Sequence, residues 1–209
     1  MAPVFISKVT VKLFITWIQI RIVSASMDLT QNYYQLFNLP QSFLVDQDEL
    51  AKNYRQLQRE LHPDKFASKS ASEQRMSVQF TSLVNGAYQT LKSPLLSAEY
   101  LLELAGHPVN SDSFTIDDGE FLFKQMEWRE HLADLSHDLK SAKIDALTVS
   151  AQLDELMLDV IKEKQQLIDI YEKKYNDTLY DEAKQCVAKL HFVEKMFVNI
   201  NHLEDDLIV

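Results

Sequence analysis

The chain has 209 residues but only three Gly and five Pro, about 4% of the total against roughly 12% in an average protein. That excludes collagen-like and low-complexity chains, and it argues against an all-β fold, which needs turn residues every ten positions or so. The net charge of −10 is unevenly spread, +3 over residues 1–26, −2 over 27–106 and −11 over 107–209, so neither nucleic acid nor an anionic membrane is expected as a partner of the C-terminal half.

Hydrophobic residues make up 46% and charged residues 25%, ordinary for a globular, mostly helical protein of one or two domains. A single cysteine, Cys186, excludes an intramolecular disulfide framework, a Cys-built zinc site and a self-held iron–sulfur cluster. A reducing compartment, the cytoplasm, is the expected location.

Residues 1–26 are apolar, basic and free of acids, and their longest uncharged stretch, Leu13–Ile20, is eight residues, too short to span a bilayer. Three readings are open: a targeting peptide, an edge or interfacial segment, or translated upstream sequence with Met27 as the true start. The last is preferred, because MDLTQNYYQLFNL reads as the opening of a domain.

From there the pattern is helical. Asn32–Leu39 reads as a short apolar helix stopped by Pro40. Asp46 or Gln47 opens a second helix, with Asp48 and Glu49 in its first turn and Leu50, Tyr54, Leu57 and Leu61 on one face. Pro63 ends it, and Ala67–Ser72 is a polar loop. A third helix, about 72–92, carries the stripe Met76, Phe80, Leu83, Val84, Ala87, Tyr88 and Leu91. Gly86 lies inside it, and close helix packing is one candidate reason. Pro94 starts a fourth helix, ended by Gly106, His107 and Pro108.

Residues 107–117 form the best linker candidate. Three acidic helices follow, at about 118–141, 145–175 and 177–204. The last places Leu179, Ala183, Cys186, Leu190, Val193, Phe197 and Ile200 at alternating spacings of 4 and 3, a seven-residue repeat suited to an antiparallel three-helix bundle.

His62-Pro63-Asp64 sits where the second helix stops. By itself it is a helix stop followed by a turn. Just before it, Lys52, Arg55 and Arg59 lie at spacings of 3 and 4, and Lys65 follows. Together they make a local basic surface on an acidic chain, suited to docking an acidic partner. An Asp held at a Pro-fixed turn can accept charge-assisted hydrogen bonds from a partner arginine.

Tyr54-Arg55, Leu57, His62-Pro63-Asp64-Lys65, then Phe80, Asn85, Ala87-Tyr88 and Leu91 resemble a J-domain, and NYYQLFNLP resembles its first helix. The resemblance implies a helical hairpin that docks on a DnaK-type chaperone and stimulates its ATP hydrolysis. His62, Pro63 and Asp64 would be the functional loop, and Lys52, Arg55, Arg59 and Lys65 the electrostatic dock. The run LHPDKF, the segment Leu91–Leu95 with Ala98–Leu102, Phe121–Glu130, and Lys189–Phe192 resemble the HscB family, J-type co-chaperones of iron–sulfur cluster assembly, over about residues 27–209. No Cys pairs precede the J-domain-like segment, which is similar to the bacterial form.

The implied organisation is all-α: an extension over 1–26, a J-domain over 27–106, a linker over 107–117 and a three-helix scaffold-binding bundle over 118–209. The helix after the linker has one stripe, Phe121, Trp128, Leu132, Leu135 and Leu139, with Leu122, Phe123 and Met126 off it beside Glu127 and Glu130. Phe192 is likewise off its stripe. A wide core stripe would explain these positions, and so would a protein-binding patch rimmed by acids. The resemblance implies the patch: Leu122, Phe123, Met126, Glu127, Glu130 and Phe192 would bind an IscU-type scaffold, delivered to an HscA-type chaperone ATPase. The chain would then be a co-chaperone with no catalysis, metal or cofactor of its own. No His-x3-His pattern and no phosphate-binding or nucleophile motif is present. The alternatives are a general J-domain protein for other clients, a membrane-tethered one using residues 1–26, and a helical enzyme working through its carboxylates.

Overall fold

The structure is a computed structural model that describes residues 31–109, 115–141 and 143–207. Among the described residues there are seven α-helices and no strand, so the chain is all-α. They are α1 (Tyr33–Leu36), α2 (Gln47–Glu60), α3 (Ala71–Lys92), α4 (Pro94–Leu104), α5 (Gly119–Lys140), α6 (Ala146–Asn176) and α7 (Tyr180–Asp205), with a 3-10 turn at Pro63–Lys65. The N-terminal extension, the proposed start at Met27 and the middle of the linker lie outside the described residues. The chain forms two compact units, dividing between Ser93 and Pro94.

In the first unit, each helix begins where a side chain can take up its unpaired N–H groups. Asn32 and Gln35 bond reciprocally, side chain to backbone, at 2.9 and 3.1 Å. Asp46 accepts from Asp48 N and Glu49 N, each at 3.0 Å. Ser70 and Glu73 form a second reciprocal pair, so α3 begins at Ala71 rather than Ser72. The Ser70 hydroxyl and backbone N–H hold the Glu73 carboxyl below its ordinary pKa. The first helix is shorter than the sequence suggests. Asn38 takes a left-handed backbone, φ 52°, which ends α1 before Pro40 can.

α1 and α2 pack on α3. The core of this unit contains Tyr34, Phe37, Leu50, Phe80, Val84, Ala87 and Leu91, all 2% exposed or less. Met76, expected on the α3 stripe, is 44% exposed, and Ser77 is buried in its place. The spacing explains this: 77, 80, 84, 87 and 91 keep the 3-4 alternation of one face, and Met76 falls one residue off it. Gly86 is exposed, and a Cβ built there would meet nothing within 4 Å, so close packing does not account for it.

In the second unit, α6 and α7 form the longest contact. Val149, Leu153, Val160 and Tyr171 of α6 are fully buried, as are Ala183, Val187, Leu190, Val193 and Ile200 of α7. The seven-residue stripe of α7 departs from expectation at two positions. Leu179 stands at the N-cap, outside the helix, and is 41% exposed, and Met196 is buried where Phe197 is only half-buried.

The expected domain division at Gly106 follows the turn residues, whereas packing places α4 with the helices after it. Leu95, Ala98, Leu101 and Leu102 of α4 are buried. Tyr171 Oη donates to Ala98 O at 2.7 Å, Tyr175 Oη donates to Leu101 O at 3.3 Å, and His191 Nε2 lies 2.6 Å from Glu99 Oε1. Rings continue the attachment: Tyr171 and Tyr175 stack at 5.9 Å, Tyr175 meets Tyr180 edge-on at 5.8 Å, and Tyr180 stacks on His107 at 4.3 Å.

Candidate functional site

Lys52, Arg55 and Arg59 are all exposed on α2, at the spacing that puts them on one side of the helix. Arg59 Nε donates to the Arg55 carbonyl at 3.2 Å, which draws that side chain along the helix. α2 is held to α3 from the side. Tyr54 stacks on Tyr88 with centroids 4.0 Å apart, its hydroxyl donates to Asn85 Oδ1 at 3.0 Å, and Gln58 donates to the same hydroxyl oxygen.

α2 ends on His62-Pro63-Asp64, all exposed. Pro63 occupies the first position of the 3-10 turn, where its missing N–H costs nothing. The turn closes through Lys65 N to His62 O and Phe66 N to Pro63 O, each at 2.9 Å. His62 Nδ1 accepts the Asp64 N–H at 3.3 Å, which leaves Nε2 as the donor of the neutral ring. The Asp64 side chain is 91% exposed, its carboxylate 3.4 Å from His62 Nδ1. It is therefore an acceptor presented to solvent at the tip of a rigid turn.

α3 holds this turn from behind. The buried Ser77 hydroxyl donates to Leu61 O at 3.2 Å, and Gln74 Nε2 donates to Ala67 O at 3.3 Å and Lys69 O at 3.2 Å. A cleft of about 520 Å³ lies there, walled by Leu61, Pro63, Phe66, Ala67 and Val78.

The second candidate surface is on α5. Leu122, Phe123 and Met126 are 38%, 63% and 65% exposed, and Glu127 and Glu130 are exposed beside them. Phe192 of α7 differs from the other five, being half-buried. Its ring meets Phe121 edge-on at 5.9 Å and stacks on Trp128 at 6.3 Å, and the Arg129 guanidinium carbon lies 4.8 Å from its centroid. Trp128 Nε1 donates to Asp159 Oδ2 at 2.7 Å, and Lys124 Nζ donates to Glu163 Oε2 at 2.9 Å, which ties α5 to α6. Burial works against the Lys124 charge, but Glu163 and Asp159 outweigh it and raise its pKa above the ordinary value. The contacts of Arg129 and Asp159 run between helices, where spacing along one helix gives no signal. Trp128, on the expected core stripe, is buried and also carries the bond to Asp159.

Among the described residues, no group of His, Cys, Asp and Glu could hold a metal ion. No helix among them is long and apolar enough to cross a membrane. Cys186 is buried, and burial pushes its thiol pKa up.

Two family models match the chain. Residues 32–100 match the family model of the DnaJ domain, and residues 117–201 match that of the HSCB C-terminal oligomerisation domain. The co-chaperone protein HscB homolog of Shewanella amazonensis is 38% identical over 177 residues, covering 85% of this chain and 99% of that protein. The homolog of Pseudoalteromonas atlantica is 39% identical over 176 residues, covering 84% and 98%. Among solved structures, chaperone HscB from Vibrio cholerae is similar with a TM-score of 0.71 and 32% identity, covering 85% of this chain and 99% of that one. Human co-chaperone protein HscB is similar with a TM-score of 0.73 and 29% identity, covering 85% and 84%. With a J-domain in its first half and the HscB-specific domain in its second, the chain belongs to the HscB family of J-domain co-chaperones.

Proposed function

We propose that this chain is a two-surface adaptor in iron–sulfur cluster assembly. The basic side of α2 and the His62-Pro63-Asp64 turn engage a DnaK-type chaperone of the HscA kind and stimulate its ATPase. The α5 patch with Phe192 carries an IscU-type scaffold to that chaperone. The observation that carries this reading is the presence of two exposed surfaces of opposite chemistry on separate compact units. One is cationic with a presented carboxylate; the other is apolar with acidic neighbours.

The division of labour follows from the chemistry. Lys52, Arg55, Arg59 and Lys65 steer encounter with an acidic face and set orientation. Asp64 then accepts charge-assisted hydrogen bonds from a partner arginine, and the Pro63-fixed turn keeps it from relaxing away. Leu122, Phe123 and Met126 supply apolar contact area, and Glu127 and Glu130 select a partner with basic groups around its docking site. Hydrolysis takes place on the chaperone; the chain contributes binding and no catalysis of its own. The cluster is cargo carried by the scaffold.

The test is chaperone ATP turnover measured against increasing chain concentration, with and without the scaffold protein. Stimulation by the chain alone, raised more than additively by the scaffold, is expected. No stimulation in either arm sinks the proposal.

A further inference from the structure

We infer that Ser77 is a positioning residue for the His62-Pro63-Asp64 turn, acting through the carbonyl of Leu61. This rests on reading that turn as the chaperone-contacting element.

Ser77 is the polar member of an otherwise apolar face. The stripe of α3 runs 77, 80, 84, 87, 91, and the other four are Phe80, Val84, Ala87 and Leu91, each 2% exposed or less. Ser77 itself is 4% exposed. A buried hydroxyl among hydrocarbon is costly unless bonded, and mid-helix Ser usually bonds back to its own helix. Here it donates instead across the hairpin to Leu61 O at 3.2 Å, sixteen residues away. That carbonyl belongs to the C-terminal cap of α2, where acceptors lack helical donors. Local donors do not serve it: Pro63 has no N–H, the Asp64 N–H goes to His62 Nδ1, and the Lys65 N–H goes to His62 O. Ser77 supplies the donor from α3.

The consequence is geometric. Fixing Leu61 O fixes the peptide plane between Leu61 and His62, and so the direction in which the chain enters the turn. Thr81 Oγ1 donates to Ser77 O at 2.8 Å. The exit of the turn is held from the same helix, one turn earlier, by Gln74 at Ala67 O and Lys69 O. Ser77 sets where His62 and Asp64 stand and touches no partner itself.

The test compares Ser77→Thr with Ser77→Val in the full chain, a pair of equal shape in which only Thr keeps the hydroxyl. Two readouts are taken: amide hydrogen exchange at Lys65 and Phe66, and stimulation of a DnaK-type chaperone. Ser77→Val is expected to speed exchange at those two amides about three- to tenfold relative to Ser77→Thr. It is expected to lower maximal stimulation by a similar factor, while the half-maximal concentration stays within about twofold because α2's basic side is untouched. If both variants are poorly folded, Ser77→Ala is compared with the unaltered chain instead, with the same expected speeding of exchange at Lys65 and Phe66, and unchanged exchange there overturns the inference. Equal exchange and equal stimulation in the Thr and Val variants, while His62→Gln removes stimulation, overturns the inference. If the unaltered chain stimulates no chaperone, the functional reading fails, and the exchange data still decide whether Ser77 holds the turn.

Discussion

Trp128 of α5 and Phe192 of α7 lie nearly parallel, their ring planes 9° apart and their centroids 6.3 Å apart. Phe192 is thus built into the bundle, whereas Leu122, Phe123 and Met126 are exposed, and substitutions at the two kinds of position should separate. Phe192→Ala is expected to cost about 1–3 kcal/mol of stability in the second unit, since it removes a half-buried aromatic and its ring contacts. Phe123→Ala with Met126→Ala should change stability by less than about 0.5 kcal/mol each and weaken scaffold binding about tenfold or more. Urea unfolding and calorimetric titration with the scaffold protein check both halves.

His62→Gln is expected to abolish ATPase stimulation while leaving scaffold affinity within about twofold, because His62 and the α5 patch belong to different compact units. Loss of both activities together would contradict two independent surfaces.

Replacing Lys52, Arg55 and Arg59 by Gln removes three exposed cations from one side of α2. At about 0.2–1 kcal/mol per exposed charge, chaperone association should weaken roughly tenfold at low salt. The variant should also lose most of the ionic-strength dependence of the original. A salt series of association rates, with the slope compared between the two proteins, gives the answer.

Asp118 caps α5 through Phe121 N at 3.0 Å and pairs with Lys189 of α7. The Lys189 bond, then the Phe121 N–H, hold its carboxyl below the ordinary 3.8. Because the folded carboxyl titrates lower than the unfolded one, its stabilisation is complete above the unfolded value and vanishes as pH falls through the folded one. Asp118→Ala should therefore cost about 1 kcal/mol at neutral pH, and the difference from the unaltered chain should close progressively below pH 3.8. Denaturant midpoints of both proteins across that range would show the convergence.

Gly86 is exposed in the middle of α3, and nothing lies within 4 Å of where its Cβ would be. Gly86→Ala should stabilise the first unit by about 0.4–1 kcal/mol, since it restricts the unfolded chain at no steric cost. A lower thermal midpoint for the variant would show that the glycine serves something other than space.

Much of this is legible in the sequence, for definite reasons. α2, α4 and α5 begin at or beside the residues expected, because Asp46, Pro94 and Asp118 are chemical start signals. Angular position put Leu122, Phe123 and Met126 off the α5 stripe but left a wide core stripe open, and their exposure decides against it. What spacing could not give lies across helices. The bond from Ser77 to Leu61 O joins residues sixteen apart on two helices. Phe192 is wedged among Phe121, Trp128 and Arg129 because α7 returns beside α5. Asn38 ended α1 early through a backbone rotation that a following proline masks in the sequence.

The two phenols that reach α4, Tyr171 and Tyr175, bear on how such proteins can be cut and recombined. A graft that exchanged everything up to Gly106 would transplant a J-domain together with one wall of its neighbour. The part left behind would keep two stranded hydroxyls and an uncovered apolar seam where Ala98, Leu101 and Leu102 had lain. A graft made at Ser93 would leave that wall standing. The position that reads as punctuation along the chain and the position at which the two compact units divide are one helix apart.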